Sequence, residues 1–158
     1  MSSIPLRSDP PISVLLHPDA GPEFVPVKAK PSDAGWDVRA FIETPIRLGA
    51  LERVAVPVGF RLAIPEGYEV QVRPKSGRFL REGLTVGNTP GTIDAGFQGD
   101  VKVLLVNLSP KVVVIEPGQK IAQLVSAKLA TNNIADFGQR KFVKLSKRGS
   151  GGFGSTGL

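Results

Sequence analysis

Glycine and proline break most of this chain into short pieces, and a chain so divided favours folds with many turns between short strands. Eighteen Gly and 14 Pro make up about a fifth of the 158 residues, against a usual combined share of about 12%. Between these breaks lie short runs rich in Val, Ile and Leu: residues 12–17 (ISVLLH), 54–64 (VAVPVGFRLAI), 68–73 (YEVQVR), 101–108 (VKVLLVNL), 112–115 (VVVI) and 121–129 (IAQLVSAKL). Apolar, β-branched runs bounded by Pro-Glu-Gly, Pro-Gly or Ser-Pro read as strands. The sequence therefore predicts an all-β domain, an antiparallel sandwich, jelly roll or barrel. One short helical turn is predicted over residues 76–82, with Ser76 as its N-cap and Gly83 as its stop.

Composition narrows the chemistry. There is no cysteine, which removes disulfides, thiolate metal sites and cysteine nucleophiles. Residues 1–10 lack an apolar signal core and no run approaches the roughly 20 apolar residues of a membrane span, so a cytoplasmic protein without membrane contact is expected. The net charge of +6 suits phosphates, nucleotides or nucleic acid, or else a solvated basic surface. Residues 1–10 read as a flexible leader, 11–146 as the β domain and 147–158 as a Gly-rich, flexible C-terminal tail.

Four segments carry the parts of a phosphate-handling site. The tail brings together Arg148, Gly149, Gly151, Gly152, Phe153, Gly154, Ser155 and Thr156: a cation, bare amides, hydroxyls and one flat ring, the means to wrap phosphates and cover a base. It is no P-loop, because the Gly-Lys-Ser/Thr ending is missing. Arg73-Pro74-Lys75-Ser76-Gly77 reads as an anion site at a helical turn, or equally as a capped surface turn. Residues 88–100 (NTPGTIDAGFQGD) read as a glycine-rich hairpin close to a ligand, with Asp94 in its wall. Ser32-Asp33-Ala34-Gly35-Trp36-Asp37-Val38 places a carboxylate where a hard cation such as Mg2+ could be served. The single histidine, His17, stands outside all four segments and reads as structural.

In chain order, and with Gly118-Gln119-Lys120-Ile121-Ala122-Gln123-Leu124 between the hairpin and the tail, these segments resemble the five ordered motifs of the dUTPase family over residues 31–157. The resemblance implies a jelly-roll-like β-barrel or sandwich, assembled as a homotrimer with three shared active sites. It also implies Mg2+-dependent hydrolysis of dUTP to dUMP and pyrophosphate, which limits uracil in DNA and supplies dUMP. Under it Asp94 is the general base, and Asp37 supports the metal through water. Lys75, Ser76 and Gly77 form the phosphate turn, and Gln123 lies near the phosphates. Asn88, Thr92, Ile93 and Asp94 form the uracil and deoxyribose pocket, with Lys102 a further contact. Phe97 stands where the family has a Tyr against the sugar, and Lys75 where it has Arg. Arg148, Phe153, Gly154, Ser155 and Thr156 belong to the tail that closes over the nucleotide, with Phe153 on the base.

Two alternatives share the fold: a dCTP deaminase-like enzyme and a non-catalytic nucleotide-binding regulator. Deamination needs a Glu in the strand after the hairpin, and the matching residue is Leu104. The presence of both Asp37 and Asp94 argues against a regulator. A nucleic-acid-binding barrel would need aromatics spread over a sheet face, and one Trp, one Tyr and eight Phe are too few; no stable nucleic-acid complex is expected.

Overall fold

The computed structural model describes residues 9–130. Eleven strands form within them: β1 (Ser13–Leu16), β2 (Trp36–Arg39), β3 (Ile46–Leu48), β4 (Arg53–Pro57), β5 (Phe60–Ala63), β6 (Tyr68–Arg73), β7 (Leu84–Val86), β8 (Gly91–Asp94), β9 (Lys102–Asn107), β10 (Val113–Ile115) and β11 (Lys120–Lys128). A short 3-10 turn (Pro22–Phe24) and one helix, α1 (Ser76–Glu82), complete them. All the ladders are antiparallel. A four-stranded sheet runs β2-β11-β6-β8, a three-stranded one β4-β9-β7, and two pairs are β1-β5 and β10-β3.

The sheets enclose one core, because the strands alternate. Val103, Leu105 and Asn107 of β9 face inward while Lys102 and Leu104 face out, and Gly91 and Ile93 of β8 face inward while Thr92 and Asp94 face out. Buried Val38, Leu48, Val56, Phe60, Val70, Leu84, Ile93, Val103, Ile115 and Leu124, from ten of the strands, belong to a single cluster. This is the jelly-roll-like all-β architecture that the sequence predicts. No helix among the described residues is long and apolar enough to cross a membrane.

Two expectations need correction. The run 54–64 is two strands, not one, since Gly59 takes φ +80 between β4 and β5. A side chain there would meet the Phe41 ring at 2.9 Å, so the left-handed backbone and the packing both demand glycine. Ser76 is also not the N-cap of α1. The cap is Lys75, in extended conformation and without a side-chain hydrogen bond, and Ser76 is the first helical residue. Gly83 does stop the helix, at φ 69, donating its N–H to the Phe79 carbonyl.

Buried Asn107 holds the far end of β9. Its Nδ2 donates to the carbonyls of Leu48 (2.9 Å), Gly49 (3.1 Å) and Lys111 (2.7 Å), and its Oδ1 accepts from the N–H and the hydroxyl of Ser109, both at 2.8 Å. A fully satisfied polar group of this kind locks a loop without leaving a buried donor unpaired.

Candidate active site

The predicted site residues within the described chain, Ser76 and Gly77 apart, line two clefts, not one. The first, of about 430 Å³, is lined by Asn88, Thr92, Ile93, Asp94, Phe97 and Lys102, with Asp100 and Leu104 beside them. The β6–β8 ladder positions it, pairing Val72 with Gly91 and Glu69 with Asp94. Alternation then sends the Thr92 and Asp94 side chains outward and Ile93 inward, so that Ile93 has only its backbone to offer a ligand. Phe97 is 46% exposed, and its ring lies against Gly99, where an added Cβ would stand 2.8 Å from Cζ. Gly99 is thus the residue that lets the ring fold back over the hairpin.

Of the two carboxylates in this cleft, Asp100 is committed. Arg61 Nε donates to its Oδ1 at 2.7 Å, and this hydrogen bond holds the Asp100 carboxyl below its ordinary range. The Asp94 side chain has no hydrogen-bond or ion-pair partner among the described residues. A proton acceptor must have an oxygen free for its donor, and Asp94 meets that condition. Leu104, outward on β9 and 45% exposed, offers an alkyl surface where deamination would need a carboxylate.

The second cleft, of about 290 Å³, is lined by Ala29, Asp33, Ala34, Gly35, Asp37, Lys75 and Gln123. Register brings its parts together, since Gln123 of β11 pairs with Asp37 of β2 on one side and with Arg73 of β6 on the other. Gln123 Nε2 donates to the Pro74 carbonyl at 3.0 Å and so ties β11 to the turn that carries Lys75, Ser76 and Gly77. Gly35 makes room for this bridge, as a Cβ there would stand 2.2 Å from Gln123 Oε1. The N–H groups of Arg78 and Phe79 return to the Lys75 carbonyl. Among the described residues nothing accepts from the amides of Ser76 and Gly77, which stay available to an anion.

Asp37 is the charged centre of this cleft. Its side chain is 12% exposed, Lys75 Nζ donates to Oδ1, and Lys120 Nζ forms an ion pair with Oδ2 at 2.8 Å. Burial is the largest single influence and pushes the carboxyl up. The hydrogen bonds and charges of Lys120 and Lys75 together outweigh it and hold Asp37 below its ordinary value. No group of three or more His, Cys, Asp or Glu side chains suited to a metal occurs among the described residues. With so few carboxylates together, the described residues could meet Mg2+ only as a hydrated ion, with Asp37 as the buried carboxylate of the cleft.

In the plane of the four-stranded sheet the two clefts are far apart. Asp37 and Asp94 lie on its two edge strands, three inter-strand steps apart, and the registers set them four residues apart along the strands. At ordinary sheet spacings that is about 20 Å. Between them runs an outward row in which Arg73 and Gln71 and then Gln71 and Glu69 are hydrogen-bonded. The expected residues Arg148, Phe153, Gly154, Ser155 and Thr156 lie outside the described residues. Lys120, as a partner of Asp37, is the contact that reading the sequence missed.

Comparisons agree with this architecture. The sequence model of the dUTPase family matches residues 23–157. The chain is 47% identical over 124 residues to the deoxyuridine 5'-triphosphate nucleotidohydrolase of Fusobacterium nucleatum subsp. nucleatum, covering 78% of this chain and 83% of the relative. It is 56% identical over 103 residues to the enzyme of the same name from Aquifex aeolicus, covering 65% and 69%. In fold it is similar to a mutant dUTPase of Staphylococcus bacteriophage 80alpha solved with dUpNHpp, with a TM-score of 0.77 at 23% identity over 94% of this chain and 99% of the other. With a family match across most of its length and relatives at this level of identity, the chain belongs to the dUTPase family.

Proposed function

We propose that this protein hydrolyses dUTP to dUMP and pyrophosphate, with Mg2+, in a homotrimer whose sites are shared between chains. The observation that carries the reading is the division of labour between the clefts: a carboxylate without a partner among the described residues in the hairpin cleft, and a lysine paired with Asp37 in a separate cleft beside the Ser76 and Gly77 turn.

Water attacks the α-phosphorus, Asp94 accepts its proton, and the bond to the bridging oxygen breaks to release pyrophosphate. Positioning and charge neutralisation do most of the work in such a transfer, in keeping with a site that uses neither Cys nor His. Lys75 and the Ser76 and Gly77 amides take up phosphate charge. Mg2+, when bound, supplies further neutralisation of the triphosphate, and Asp37 would hold it through water. Asn88 and the hairpin backbone face the base, the Phe97 ring packs on the sugar, and Lys102 lies at the rim. Gln123 fixes the phosphate turn through Pro74.

One chain cannot do this alone. A base, its water, the phosphorus, a hydrated metal and the carboxylate beyond it span under about 15 Å, less than the roughly 20 Å that ordinary sheet spacings put between Asp94 and Asp37 within a chain. A hairpin cleft of one copy facing the Asp37 cleft of another closes that gap, and closed rotational symmetry repeats it. Exposed Phe79 and Leu80 on α1, at 51% and 87%, are consistent with a surface that other chains cover. Residues 147–158 would then close over the nucleotide, with Arg148, Ser155, Thr156 and Gly154 on phosphate and Phe153 on the base. We place residues 11–146 in the β domain and 1–10 in a leader.

The test is pyrophosphate release from dUTP, dCTP, dTTP and UTP side by side with Mg2+. Release confined to dUTP is expected. Release of ammonia from dCTP, or turnover of all four nucleotides alike, would overturn the reading.

A further inference from the structure

The Asp37 cleft owes its second lysine to an irregularity in β11. Gln123 reaches into the same cleft as Asp37, and strict alternation from it would turn Ile121 outward and Lys120 inward. Instead Ile121 and Ala122 are both buried, at 1% and 0%, and the ladder to β2 shifts between Lys120 and Ala122. A bulge reverses the face of every residue beyond it. Burying two neighbours in succession is what swings Lys120 out onto Asp37 Oδ2.

The two lysines are not equivalent. Lys75 lines the cleft from the turn before α1, whereas Lys120 lies outside the lining and its backbone is held in the ladder. Should Lys75 turn to a phosphate, Asp37 would lose the cation on Oδ1 and keep the one on Oδ2. Without Lys120 the same movement would strand a carboxylate that is 12% exposed, and a charge left unpaired in such a place is strongly unfavourable. We propose that Lys120 is a positioning residue: it holds Asp37 by Oδ2 so that Lys75 can pass from Oδ1 to the triphosphate, leaving Oδ1 as the one oxygen open to a metal-bound water. This rests on the reading of the cleft as the triphosphate site.

The test is calorimetric binding of dUpNHpp and of dUMP to the full-length protein, in EDTA and then in Mg2+. In EDTA, Lys120→Met is expected to weaken dUpNHpp by at least about tenfold while changing dUMP less than about twofold, because only the triphosphate draws Lys75 away. Mg2+ should restore part of the loss by supplying charge at Asp37, so that the ratio of affinities with and without metal rises above that of the wild type. Lys120→Arg should return both values to within about threefold. Equal losses for the two nucleotides, or an unchanged metal ratio, would overturn the inference.

If Lys120→Met does not fold, Asp37→Asn/Lys120→Met, which strands no carboxylate, takes its place. It should match Asp37→Asn within about threefold in EDTA, and a further tenfold loss would show that Lys120 acts on the nucleotide itself and overturn the inference. A wild-type protein that binds neither nucleotide would instead overturn the reading of the cleft, and the inference with it.

Discussion

Among the described residues the hairpin cleft leaves Asp94 without a partner, while the cleft at the opposite edge of the same sheet pairs Asp37 twice. One carboxylate can accept a proton as soon as a water is presented. In the proposed reaction the other must first be released from a lysine, by the anion that takes that lysine. The difference separates two tasks that one type of side chain performs in the proposed reaction. A base needs free oxygens, and a support for metal and phosphate needs charge that stays balanced before and after substrate arrives.

The largest effect should follow from disabling the carboxylate of the hairpin cleft, Asp94. Asp94→Asn is expected to bind dUpNHpp near normally and to lose roughly 10²–10⁴-fold in kcat; a loss below about tenfold in steady-state assays would move the base elsewhere. Next comes the tail, the proposed cover over both clefts. Deleting residues 149–158 should leave the thermal melt in place and lower kcat by about 10–100-fold, and a normal melt with undiminished turnover would remove the tail from the mechanism. A smaller effect belongs to the hairpin ring. Phe97→Ala should narrow the preference for dUTP over UTP by on the order of tenfold, whereas Phe97→Tyr should change kcat/KM by less than about threefold, since packing rather than a hydroxyl is at stake. Competition assays with the two nucleotides measure both.

Much of the fold was legible because turns mark its edges. The strand at residues 68–73 was read to the residue, bounded by Pro65-Glu66-Gly67 and Pro74, and the helix at 76–82 because Gly83 ends it. β2 and β3 were not read as strands. They have only four and three residues, and Asp37, Arg39 and Arg47 interrupt their apolar pattern. Nor does helical periodicity explain α1, whose one buried residue is Arg78, its guanidinium 3.0 Å from Glu82, while Phe79 and Leu80 are exposed. The site was legible as residue types, because carboxylates, a phosphate turn and a glycine hairpin announce their chemistry locally. Its division into two clefts was not, since that depends on the order β2-β11-β6-β8, in which strands distant in sequence are neighbours. Lys120 was missed for a similar reason: only the bulge decides which face it occupies.

The separation of Asp94 from Asp37 and Lys75 has one decisive consequence, which mixing two disabled chains can measure. Asp94→Asn breaks only the hairpin cleft and Lys75→Ala only the phosphate cleft, so each variant alone should be nearly inactive. Unfolded together in equal amounts and refolded, they should regain about a quarter of wild-type kcat, because random assembly of shared sites joins one intact cleft of each kind in about one site of four. A refolded mixture with the native oligomeric mass, yet no more active than its two parents, would show that each site lies within a single chain and would contradict the shared site.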